Sequence, residues 1–192
     1  MQALLINGSK KFGNDGTRLN GTLQSVAKEE LESKGYKVLE TIIDKGYTPQ
    51  EEIMKIKESD LIIYQMPAWW MGEPWIVKKY IDEVYLGGVG VLFANDGRSR
   101  ADESLKYGSG GLAWDKRIML SVTWNAPKEA FTESNGFFEG MGVEGVYLHL
   151  RKIHEFCGME WLPIFMCNDV VKNPQVRQYI SEYKAHLQKY VK

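Results

Sequence analysis

The sequence predicts an α/β fold, a doubly wound parallel sheet with helices on both faces. Three observations predict it. Short apolar runs of strand length alternate with segments of helical period along the chain. Glycine and proline punctuate the joints between them. At 192 residues the chain suits one domain with a decorated core.

The elements follow in order. Residues 2–6, QALLI, read as a strand ending at Asn7-Gly8, before the polar loop SKKFGNDGTR. Leu19, Leu23, Val26, Ala27 and Leu31 then recur at helical spacing, and Gly35 stops the helix. YKVLETII (36–43) is a second strand, and a helix over Gln50–Glu58 is opened by Thr48 and Pro49. DLIIYQM (60–66) is a buried-looking third strand, and Pro74 opens a helix to about Tyr85. GVLFAN (90–95) is a brief apolar run before a long polar, glycine-rich stretch, 95–115. RIMLSVTW (117–124) is the next strand, and a Gly- and Phe-rich segment leads to a helix from about Val146 to Cys157, ended by Gly158. MEWLPIFM (159–166) is the last strand, weakened by Pro163 or placed by it at an edge. Asn173-Pro174 begins the final helix, with Val176, Tyr179, Ile180, Tyr183 and Leu187 on one face.

Strand and helix alternate five times, which implies right-handed βαβ units. Five strands in a chain of this length fit the flavodoxin-like order 2-1-3-4-5 better than a six-stranded Rossmann sheet. Residues 1–192 are expected to form a single domain.

Composition excludes several functions. The chain is 44% apolar and 26% charged, with net charge −1 and no basic stripe, so a nucleic-acid partner is not expected. No apolar run approaches the ~20 residues of a membrane span. MQALLIN has no basic lead-in and reads as a strand, not a secretory signal. Cys157 and Cys167 are too few for a disulfide framework and are expected as free thiols in a cytoplasmic protein. His149, His154 and His186 lack zinc-type spacing, and no metal is expected.

Topology places the site. Doubly wound sheets bind ligands beyond the carboxyl ends of their strands, where strand order reverses, here between strands one and three. The two loops there are GSKKFGNDGTRLN (8–20) and PAWWMG (67–72). In the first, Gly8, Gly13, Gly16 and Gly21 allow close backbone approach. Ser9, Asn14, Thr17, Asn20 and Thr22 offer donors, Lys10, Lys11 and Arg18 offer charge, and a helix N-terminus follows. The bland alternative is a solvated, self-capping loop. No GxxxxGK[ST] phosphate loop is present. GSGGLA (108–113) matches GxGxx[GA], but it follows no strand and opens no clear helix, so it reads as flexible loop.

The second loop carries Trp69 and Trp70, with Trp75 in the helix behind. A phosphate loop beside a wall of indoles suits a ligand with a charged tail and a broad flat ring, and a flavin nucleotide fits best. The alternative for Trp69 and Trp70 is packing, and Trp75 is expected in the core or an interface. TWNAP (123–127) would form the third wall, with the Trp124 indole and the polar groups of Thr123 and Asn125.

INGSKKF (6–12), QMPAWWMGEPWIVKKYIDEV (65–84), DGRSR (96–100), KYGSGG (106–111), LSVTWNAPKEAFTE (120–133) and GVEGVYL (142–148) together resemble the modulator of drug activity B family, flavodoxin-like NAD(P)H:quinone oxidoreductases. The matches run in order along nearly the whole chain. The resemblance implies FAD as cofactor, NADPH or NADH as reductant, a quinone substrate and a homodimer. The implied flavin contacts are Asp15, Gly16, Thr17, Arg18, Leu19, Asn20, Gly21 and Thr22, then Ala68, Trp69, Trp70 and Met71, then Tyr107, and finally Thr123, Trp124, Asn125 and Ala126. His149-Leu150-Arg151 departs from the family pattern, as does Ala68 where glycine is natural.

The expected mechanism is ping-pong hydride transfer, reductant and quinone using the exposed flavin face in turn. Tyr107 is the candidate for contacting cofactor or substrate, its hydroxyl stabilising developing quinol charge. Phe131, Phe137 and Phe138 are expected to line the substrate pocket from a second subunit. The rivals are an FMN-binding flavodoxin-type electron carrier and an FMN-dependent azo- or nitroreductase.

Overall fold

The computed structural model describes residues 1–11 and 18–191. Strands β1 (Gln2–Asn7), β2 (Lys37–Ile42), β3 (Leu61–Pro67) and β4 (Arg117–Thr123) alternate with helices α1 (Arg18–Ser33), α2 (Pro49–Glu58) and α3 (Trp75–Leu86). Short helices α4 (Glu129–Thr132) and α5 (Gly142–Val146) precede α6 (Leu148–Phe156). The strands β5 (Glu160–Trp161) and β6 (Phe165–Cys167) and the helix α7 (Val176–Tyr190) complete the chain.

The sheet is parallel, in the order β2-β1-β3-β4-β5, with β6 also on β4. The expected order therefore holds, and the expected fifth strand is one edge strand broken in two. Glu160 pairs with Arg117 and Phe165 with Ser121, on either side of Leu162-Pro163-Ile164. Pro163 has no amide for the ladder. The Glu144 carboxylate fills in, accepting from the Ile164 amide (2.8 Å) and the Trp161 indole (2.8 Å). The helix expected from about Val146 to Cys157 is α6, and the short α5 precedes it, set off by Tyr147.

Successive strand residues point to opposite faces, and this divides the core. Ala3, Leu5, Ile63 and Met119 meet Leu23 and Leu31 of α1 and Tyr183 and Leu187 of α7. Leu4, Ile62, Tyr64 and Leu120 meet Ile56 of α2, Val77 and Tyr80 of α3 and Leu150 of α6. On the α1 face the register row Leu5–Ile63–Met119 is apolar, but the next row is Asn7–Gln65–Ser121, followed by Thr123. All four polar residues are buried. The interior thus turns polar at the carboxyl edge of β1, β3 and β4.

Residues 95–115 hold a small hairpin. Phe93 bridges Gly111, and Ala94 donates to the Gly110 carbonyl (2.8 Å). The GSGG segment is packed, contrary to expectation. A Cβ on Gly110 would lie 2.2 Å from the Asn95 oxygen, and one on Gly111 2.4 Å from Cys157. Those glycines answer close backbone approach, not a nucleotide. Cys157 and Cys167 are free and buried, and burial pushes both thiols up to about 12.

Candidate functional site

Three segments converge at the carboxyl edge of the sheet. The first is the start of α1, whose leading amides have no partner within the helix and carry the positive end of its dipole. Asp15, Gly16 and Thr17 of the expected phosphate loop lie outside the described residues. Arg18 is exposed, Leu19 is half-buried, and Gly21 has open space where a Cβ would stand. Thr22 is not a free donor, because its hydroxyl bonds back to the Arg18 carbonyl (3.0 Å). Ser9 is turned inward, its amide and hydroxyl both given to the Asn7 side chain. Lys10 pairs with Asp44 (2.6 Å), which holds that carboxyl below its usual range, and lies 5.9 Å over the Trp75 ring. Gly8 must be glycine, since a Cβ would meet Val77 at 2.3 Å.

The second segment is a tight turn after β3. Trp69 and Gly72 exchange amide-to-carbonyl bonds of 2.9 and 3.1 Å around Trp70 (φ 45°) and Met71 (φ 68°). Positive φ at both central positions makes it a type I′ turn, where Asn-Gly is the usual pair. Trp and Met hold that shape at a cost of roughly 1–2 kcal/mol each. The strain presents Trp70 at 97% exposure, with Trp69 half-buried beside it. The amides of Trp70 and Met71 have no hydrogen-bond partner among the described residues. The Ala68 amide is committed to the Thr123 carbonyl (2.9 Å). Ala68, Trp69, Trp70 and Trp75 line one cleft. Trp75 is exposed, which removes its expected core role.

The third segment follows β4. Val170 donates to the Trp124 carbonyl (3.0 Å), and Asp169 to the Ala126 carbonyl (3.1 Å). The Asn125 side-chain oxygen accepts from the amides of Val171 (3.2 Å) and Lys172 (3.3 Å). This segment's acceptors are spent on the loop after β6. The amides of Asn125 and Ala126 remain unpartnered among the described residues.

Other expected residues fall elsewhere. The Trp124 indole is no wall of the site. It is buried edge-on against Phe131 (5.1 Å) and Phe138 (5.4 Å), which stack on each other at 4.5 Å. Phe131 and Phe138 are core, and Phe137 alone of the three is exposed. Tyr107 rests on Phe156 (5.5 Å) under Arg98 (5.6 Å), near the start of β4. Seven strand residues, about 20 Å, separate that edge from Thr123. Within one chain Tyr107 does not join the other segments. His149, the departure from the family pattern, bonds Glu73 (2.8 Å) and ties α6 to the tryptophan turn.

Sequence reasoning missed Gln65. Its side-chain amide donates to Asn20 (2.8 Å), whose own amide donates to Thr123 (3.2 Å). A glutamine inside the otherwise apolar run LIIYQM was the available signal.

The site offers backbone N–H groups in two open turns and at a helix start, beside flat indole surface. That donor set fits a ligand rich in acceptors, with phosphate at one end and a carbonyl-edged planar ring at the other. These residues fit a flavin.

Residues 1–191 match the family model described as the flavodoxin-like fold. The chain belongs to this family. It is 53% identical over 189 residues, 98% of each chain, to the NADPH:quinone oxidoreductase MdaB of Haemophilus influenzae, which places it in the modulator of drug activity B group. It is 49% identical to an uncharacterised protein of Schizosaccharomyces pombe, covering 97% of this chain and 95% of that one. Among solved structures, a candidate quinone reductase of Klebsiella pneumoniae matches with TM-score 0.78 at 22% identity, covering 98% of this chain and 84% of that one. The general stress protein 14 of Treponema denticola, solved with FMN, matches with TM-score 0.73 at 18% identity, covering 98% and 99%. Both structures share the fold.

Proposed function

We propose that this chain is an NAD(P)H:quinone oxidoreductase that binds FAD and works by ping-pong hydride transfer. One observation carries the reading: two turns with unpartnered amides face the start of α1 at the topological switch point, in a chain 53% identical to MdaB over nearly its whole length. The bound flavin would supply the redox chemistry, accepting hydride from NAD(P)H and giving it to the quinone.

The chain's own groups bind, orient and exclude water. The start of α1 is the place for phosphate. The amides of Trp70, Met71, Asn125 and Ala126 would bond the acceptor edge of the ring, and the indoles of Trp69 and Trp70 would cover apolar surface. The strained turn keeps those amides directed before any ligand arrives, so little ordering entropy is lost on binding.

A homodimer belongs to the same proposal. Tyr107 is 70% exposed and borders a largely apolar cleft of about 740 Å³ between α3 and α6. At the far edge of its own sheet, it can meet a flavin only in a second copy. Phe137, also exposed, is free for the same role. No helix among the described residues is long and apolar enough to cross a membrane. A cytoplasmic location is proposed with the free thiols in view.

Purification, release of any yellow cofactor and its chromatography test the cofactor. FAD, with NADPH- or NADH-dependent menadione reduction and parallel double-reciprocal plots, is expected. FMN without quinone reduction supports the electron carrier, a reading kept because a fold neighbour was solved with FMN. Protein that takes up neither flavin overturns the proposal.

A further inference from the structure

The buried polar row at the carboxyl edge has a direction. Gln65 Nε2 donates to Asn20 Oδ1 (2.8 Å), and Asn20 Nδ2 donates to Thr123 Oγ1 (3.2 Å). All three residues are buried, and Gln65 Oε1 has no partner. The opposite direction would have Thr123 donate to Asn20 and Asn20 to Gln65. That arrangement strands both N–H donors of Gln65 in the interior, where the one drawn strands a single N–H and the carbonyl oxygen. Stranded donors are the rarer and costlier defect. The direction drawn is therefore the favoured one.

Its consequence falls on Thr123. A hydroxyl that accepts from Asn20 still has its own proton to give. Among the described residues no acceptor takes it. Thr123 ends β4, and its carbonyl receives the Ala68 amide from the tryptophan turn. It thus stands between the two turns with open amides. Asn20 is the third residue of α1, so the same relay pins the helix start onto β3 and β4.

We propose that Gln65, Asn20 and Thr123 form a hydrogen-bond relay of fixed direction, which makes the Thr123 hydroxyl a donor to an acceptor on the cofactor's ring edge. Gln65 and Asn20 are positioning residues that act through Thr123 and through the placement of α1. The inference rests on the flavin-binding reading and extends it to a residue that touches no ligand. It also accounts for a glutamine in an otherwise apolar strand. With Thr123 as donor, a hydroxyl joins the open amides of the two turns, which suits a ring edge that carries carbonyl oxygens and bare ring nitrogens.

The test is titration of cofactor-stripped protein with FAD and with FMN, followed by flavin fluorescence, with thermal unfolding of each stripped variant alongside. Thr123→Val and Gln65→Leu are each expected to weaken binding about tenfold, one hydrogen bond's worth. Thr123→Ser retains near wild-type affinity. The double variant loses about tenfold, not about a hundredfold, because both changes remove one relay. If Gln65→Leu fails to fold, Gln65→Met, of equal length, replaces it. The relay is overturned if the Gln65 variant binds like wild type, if the two losses multiply, or if Thr123→Ser binds as poorly as Thr123→Val. It is also overturned if affinity falls only as far as stripped-protein stability does. Wild-type protein that binds neither flavin sinks the flavin reading itself, and the relay with it.

Discussion

The two ends of the sheet both bury polar groups, and they treat them differently. At the amino edge the charged groups are paired within the protein, and the Gln2 side-chain nitrogen is left without a partner. The buried Lys116 ammonium donates to the carbonyls of Lys57 (2.7 Å) and Ser59 (3.2 Å), closing the end of α2 against the start of β4. Asp60 accepts from the Gln2 amide (2.7 Å), and Arg117 donates to Tyr36 (2.9 Å). At the carboxyl edge a set of donors is left over in two turns, the amides of Trp70, Met71, Asn125 and Ala126, beside the Thr123 hydroxyl. Paired charges mark the end that holds the fold together. Open amides gathered in two turns mark the end that a ligand would complete, since a pocketed polar group without a partner costs stability unless a ligand supplies one.

The largest expected effect separates scaffold from site at the carboxyl edge. Phe131→Ala removes a fully buried ring stacked on Phe138 and should cost about 3–5 kcal/mol in urea unfolding. Phe137→Ala, six residues further along the chain and exposed, should stay within about 0.5 kcal/mol. Equal losses would return Phe131 to the solvent-facing surface. A middle-sized effect tests the closed edge. Lys116→Met keeps the aliphatic stem but leaves two carbonyls unpartnered and should cost about 2 kcal/mol. Flavin affinity should not change. Gln65→Leu should cost less stability than Lys116→Met and should weaken affinity, and a shared pattern in the two variants would erase the contrast between the edges.

The fold was readable because it rests on local signals. Period, glycine stops and proline starts marked the main strands and most of the helices, and Pro163 announced the broken edge strand. The switch point followed from strand order alone. Side-chain direction did not follow. Trp70 and Trp124 each come just after a strand in an aromatic-rich turn, yet one is almost fully exposed and the other is core. The difference lies in long-range bonds: Cys167 and Val170 clasp the backbone at Trp124, while no backbone bond among the described residues holds the tip at Trp70. Phe131 and Phe138 were misread for the same reason. The Phe138 amide reaches back to the Ala130 carbonyl (2.8 Å), folding that loop inward over Trp124. Tyr107 sits apart because the 95–115 hairpin returns to the end of α6, a docking no local pattern encodes.

The smallest expected effect concerns the turn that keeps the open edge open. Met71 sits at φ 68°, a conformation that costs an L-residue roughly 1–2 kcal/mol and costs glycine almost nothing. Glycine in turn loses roughly 0.5–1 kcal/mol more backbone freedom on folding. Met71→Gly should therefore stabilise the cofactor-free protein slightly, by about 0.5 kcal/mol, read as a small rise in Tm. The same change frees the turn to sample other shapes, so the amides of residues 70 and 71 must be ordered when a ligand binds. Affinity for the flavin should fall by a few-fold even as stability rises. Strain that served no binding purpose would let stability rise with affinity untouched, and the tryptophan turn would then belong with the closed edge in kind, differing from it only in exposure.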